Sequence, residues 1–174
     1  MSIRRAARLI LAAALAGLCG CNSNSSNPSA PNPVVTPPGI MSAVVNSFAW
    51  SAGGSTHSPA AADYTGGTIL IVGYRYYADG SGSYVLLHVE KFTGAKTYTL
   101  STGALSGARA IYATWSAAHD TTKYSTDGGY TGTLTVTTLD ELNRNVKGTF
   151  SFTGYHPPST TAAAVTSGSF DVSF

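Results

Sequence analysis

The chain has 174 residues, with ten Lys or Arg against eight Asp or Glu and a formal charge of +2. Charged residues make up 10% of it, which excludes a highly charged disordered chain, and two cysteines exclude a disulfide-dense scaffold. Three of the basic residues are Arg4, Arg5 and Arg8, so the remainder offers no basic footprint for nucleic acid.

Met1 to Gly20 has the three parts of a secretory signal: a positive start, an apolar centre and a small residue at the end. The apolar centre, Leu9–Leu18, is ten residues long. A membrane-spanning helix needs about 20, so this segment is too short to remain as a span. Leu18-Cys19-Gly20-Cys21 resembles the lipobox of bacterial lipoproteins. The resemblance implies that a diacylglyceryl group is attached to the thiol of Cys21 and that the chain is cut between Gly20 and Cys21. Modification of Cys19 instead would place bulky Leu18 at the cut, and an ordinary signal peptide would need a better A-x-A site. Asn22 is not the Asp that retains such lipoproteins at the inner membrane, so the resemblance favours the outer membrane of a cell envelope.

Cleavage leaves seven basic against eight acidic residues, a formal charge of −1, and no cysteine beyond the anchor. Disulfides, thiolate chemistry and a nucleic-acid partner are therefore not expected, and no cofactor is implied. From Asn22 to Gly39 the chain is rich in Ser, Asn and Pro, with five prolines in eighteen residues. That composition predicts a disordered or polyproline-like tether, with a reach of about 55 Å at ~3.1 Å per residue. The predicted order is thus a signal peptide (1–20), a lipidated tether (21–39) and one domain (40–174).

Within the domain the apolar residues alternate, as in half-buried strands. Strands are predicted at Ala43–Ser51, Thr68–Tyr77, Tyr84–Glu90, Lys96–Ser101 and Arg109–Ser116. Three more follow at Gly132–Thr137, Val146–Phe152 and Ser169–Phe174. In the last, Phe170, Val172 and Phe174 share one face. Turn signals lie between them at Asp79-Gly80-Ser81-Gly82, Thr93-Gly94, Ser106-Gly107 and Asp127-Gly128-Gly129. A helical turn is expected at Asp140–Asn145. The pattern predicts an all-β fold, an antiparallel β-sandwich or barrel of about eight strands.

The C-terminal third, with Gly148-Thr-Phe-Ser-Phe and Gly168-Ser-Phe-Asp-Val, resembles an uncharacterised family of small bacterial lipoprotein β-domains. Members combine a lipidated N-terminus, an early strand ending in Trp (here Trp50) and these two motifs. The resemblance implies an all-β fold and supplies no activity.

No catalytic constellation stands out. His88 and Glu90 share a strand face, but two ligands do not make a metal site, which usually needs three or four. Asp63, Asp79, Asp120 and Asp127 sit where turn aspartates are found, no G-x-S-x-G elbow is present, and Asp127-Gly128-Gly129 lacks the alternating acids of a calcium loop. Tyr74, Tyr76 and Tyr84 are expected on one face of a hairpin, as routine cross-strand packing in the first place and otherwise as a surface for carbohydrate or protein. Trp50 and Trp115 are expected in the core. The leading expectation is a non-enzymatic binding or structural module held at a membrane by its lipid. The alternatives are a lipocalin-like barrel holding a small apolar ligand and, further behind, a hydrolase. Cys21→Ala is expected to abolish metabolic labelling with a fatty acid and leave a soluble or uncleaved precursor; normal labelling would refute the assignment.

Overall fold

The computed structural model describes residues 39–55, 57–159 and 161–174. The expected signal peptide, Gly20, Cys21 and the tether as far as Pro38 lie outside these residues. The described chain is all-β. It forms β1 (Ile40–Val45), β2 (Phe48–Gly53), β3 (Ala60–Thr65), β4 (Thr68–Tyr76), β5 (Gly82–Val89) and β6 (Thr97–Ser101). β7 (Arg109–Trp115), β8 (Thr121–Ser125), β9 (Thr131–Asp140), β10 (Asn145–Tyr155) and β11 (Ala162–Ser173) complete it.

Three differences from the sequence expectation have physical causes. The stretch Ala43–Ser51 is two strands, because Asn46 and Ser47 both take positive φ and reverse the chain in two residues. The carboxamide of Asn46 then accepts a hydrogen bond from the Ala164 N–H at 2.8 Å, which ties the turn to β11. No helical turn forms near Asp140. β9 runs through that residue, and its carboxylate accepts the backbone N–H and side-chain amide of Asn143 to close a four-residue turn. Finally, β3 and β8 are additional strands, with sequences AAADYT and TTKYS that carry too few large apolar residues to mark a face.

All pairings are antiparallel, in the order β2-β1-β11-β10-β8-β7-β5-β4-β3. β10 is the fork. Its first part, Asn145–Phe152, pairs with β9, which carries β6 on its far side, whereas Tyr155 at its end pairs with Ser125 of β8. Among the described residues β2, β3 and β6 each have one paired neighbour, so the sheet is open.

The sheet bends back on itself as a sandwich, with β2 laid over β4. Bulges interrupt the β1–β11, β10–β11 and β9–β10 ladders, and a bulge bends its strand and increases the local twist. One continuous core fills the fold, contributed by alternate residues of most strands, among them Met41, Trp50, Ile71, Leu87, Leu134, Phe150 and Val172. Contact between the layers is close at Gly73 of β4. A Cβ there would stand 2.9 Å from the Ala52 Cβ and the Met41 sulfur and 3.0 Å from the tip of the Trp50 ring.

Gly73→Ala tests that contact. Loss of glycine freedom in the unfolded chain alone would stabilise by about 0.4–1 kcal/mol. Overpacking, at about 1–3 kcal/mol, should outweigh it, for a net loss of up to ~2.5 kcal/mol in chemical denaturation. Unchanged or increased stability would show that β2 does not press on β4 at this point.

Candidate functional site

β4, β5 and β7 have a second face, turned away from the core. Register places Tyr74 beside Tyr84 and Ala113, and Tyr76 beside Gly82 and Trp115. The expected grouping of Tyr74, Tyr76 and Tyr84 is therefore present, and Trp115 joins it. Ring centroids are 6.1 Å apart for Tyr74–Tyr76, 5.7 Å for Tyr74–Tyr84, 5.3 Å for Tyr76–Trp115 and 6.5 Å for Tyr84–Trp115. These four side chains make a continuous aromatic platform.

Trp115 was expected in the core and is instead a half-buried member of this outer platform. Gly82 explains its placement. A Cβ on Gly82 would fall 2.1 Å from Cζ2 of the indole, so the ring lies where a side chain would otherwise stand. The indole N–H donates to the Gly80 carbonyl at 3.1 Å, which locks the ring against the hairpin turn. Asp79 holds the turn from below, accepting the Ser81 N–H at 2.9 Å and the Ser81 hydroxyl at 2.6 Å. Trp50, by contrast, lies in the core as expected, its indole donating to the Ser83 hydroxyl at 2.9 Å.

Burial raises the Tyr74 phenol above its ordinary pKa, helped by Tyr76 and Tyr84, and burial raises Tyr84 as well. Both hydroxyls therefore stay protonated at neutral pH and remain available as donors. Below the rings the same face continues in aliphatic side chains: Val72, Leu86 and Ile111 stand in one row across the three strands. Val72 and Ile111 are buried within it.

Next along this face is His88, paired across the strands with Leu70 and Arg109. Its Nδ1 is buried without a hydrogen-bond partner. Burial, with a contribution from the Arg109 charge, lowers its pKa against the opposing effect of Glu90, so the ring is held neutral. Glu90 itself lies 3.9 Å from Arg109. Among the described residues no three His, Cys, Asp or Glu come together to hold a metal.

The remaining candidates do turn and capping work. His156 Nδ1 meets the Lys123 carbonyl at 2.9 Å, and His119 sits in a turn at positive φ. Asp63 accepts the Thr65 hydroxyl, and Asp127 accepts those of Ser125 and Thr102. A surface groove of about 590 Å³ lies beside β6, with Lys91, Lys96, Thr97, Tyr98 and Leu105 among its lining. No carboxylate, imidazole or thiol lines it.

Residues 39–172 match the model of a family described as a domain of unknown function, DUF6252. Comparison with curated proteins and with solved structures gave no match. The family match spans nearly the whole described β-domain, and the chain belongs to the DUF6252 family.

Proposed function

We propose that this protein is a lipid-anchored, non-enzymatic binding module of the bacterial cell envelope, and that its ligand is a polysaccharide held on the Tyr74–Tyr76–Tyr84–Trp115 platform. The observation that carries the reading is the platform itself: four rings in mutual contact on a strand face, with Tyr76 49% exposed. Aromatic rings give a flat, rigid contact at small entropy cost, and their polar tips bond to neighbouring hydroxyls. Sugar rings present the matching pattern, apolar C–H faces edged by hydroxyls. The platform is uncharged, which suits a neutral sugar.

Anchoring completes the proposal. The Leu18–Cys21 motif places lipid on Cys21, and the Pro-rich tether lets the domain stand off the membrane.

Affinity electrophoresis through gels containing neutral polysaccharides (glucans, xylans and mannans) tests the site. The wild-type domain is expected to be retarded in at least one gel. The Tyr76→Ala/Trp115→Ala variant, with unchanged circular dichroism, should run as in the empty gel, a loss of binding of tenfold or more. Free migration of the wild type in every gel would overturn the polysaccharide assignment, and equal retardation of the variant would overturn the platform.

A further inference from the structure

The other face of the same hairpin carries a different chemistry. Arg75 pairs across the strands with Ser83, on the core side of the sheet, beside β2. Its Nη1 donates to the Ala49 carbonyl of β2 at 3.1 Å, and its guanidinium carbon stands 5.2 Å from the centre of the Tyr77 ring. Among the described residues the ion pairs are Arg109–Glu90 and Lys147–Asp171, and Arg75 belongs to neither. Its planar fork of five N–H groups makes one hydrogen bond, to the Ala49 carbonyl, among the described residues, which leaves donors for a carboxylate.

Hydroxyl groups and ring faces surround it. Tyr112 lies on the same sheet face, in register with Val85 one pair along from Ser83 and with Tyr124 of β8, and is within electrostatic reach of Arg75 and Tyr77. Tyr112 stacks on Tyr124 with centroids 6.0 Å apart and planes at 23°, and Tyr124 in turn meets the His156 ring at 5.7 Å. Tyr77 is 45% exposed, so this end of the sandwich is open to solvent. One unpaired cation, several phenols and exposed ring faces thus converge without a carboxylate among them.

We propose that this open end, built around Arg75, Tyr77, Tyr112 and Tyr124, is a second binding site, for a sugar carrying a carboxylate, the uronic-acid class. The guanidinium fork matches a carboxylate with two parallel bonds. The phenols bond to ring hydroxyls, and the tyrosine faces take the C–H surface of the sugar. Neutral sugars lack the group that the fork is missing. The site lies on the opposite sheet face from the Trp115 platform and stands or falls separately from it.

The test is titration of the isotope-labelled domain with trigalacturonate, read by NMR, with galactotriose as the neutral control. Saturable shifts are expected at the Arg75 side chain and at the Tyr112 and Tyr124 rings, with the Trp115 indole unmoved. Arg75→Gln, which keeps a donor for the Ala49 carbonyl, should weaken binding at least tenfold, and Trp115→Ala should leave it unchanged. Should Arg75→Gln fail to fold, Tyr112→Phe and the salt dependence of wild-type binding take its place, with a loss of severalfold expected in each. Absence of saturable shifts, equal affinity for galactotriose, equal binding by Arg75→Gln, or shifts confined to Trp115 would each overturn the proposal.

Discussion

The fold depends on β2 lying back across β4. Trp50 is the residue that fastens it: the ring stands over Gly73 and the indole N–H reaches the buried Ser83 hydroxyl. A buried Trp removes roughly 150–250 Å² from water, which at about 25 cal/mol per Å² is worth roughly 4–6 kcal/mol as an upper bound. The indole N–H would cost part of that gain if it were left without an acceptor. Ser83 prevents this, one of few buried polar residues in the described domain. Glycine at position 73 admits the ring, so three residues from three strands set the spacing between the layers.

That closure directs where ligands can bind. The two proposed ligand surfaces are the outer face of β4, β5 and β7 and the Arg75 end of their inner face. The β4–β5 hairpin serves both, because successive side chains of a strand point to opposite faces. Tyr74 and Tyr76 go out while Arg75 and Tyr77 go in. One short hairpin, held by the Asp79 turn, thus presents neutral rings on one side and a cation among phenols on the other.

Much of this was readable in the chain. Val85, Leu87 and Val89 lie inward as their alternation requires, and the shared face of Tyr74, Tyr76 and Tyr84 follows from strand period and turn length. Trp115 was misplaced for a definite reason. β7 carries large residues on both faces, Ile111 and Trp115 on one and Tyr112 on the other, so alternation alone does not say which is core. The deciding fact is cross-strand: Gly82 leaves a vacancy opposite Trp115, which becomes visible only once register is known. Arg75 was unreadable as a site for a similar reason, since its lack of a carboxylate partner is a property of packing. The Asn46-Ser47 reversal hid because neither residue is glycine, and the hydrogen bonds to Ala164 that support it come from the far end of the chain.

β2 closes over β4 through Trp50. The most direct measurement is a nuclear Overhauser spectrum of the labelled domain, read between the Trp50 ring proton at Cη2 and the α-protons of Gly73. A strong cross-peak is expected. Its absence, with the β4–β5 cross-strand contacts intact, would contradict the closure.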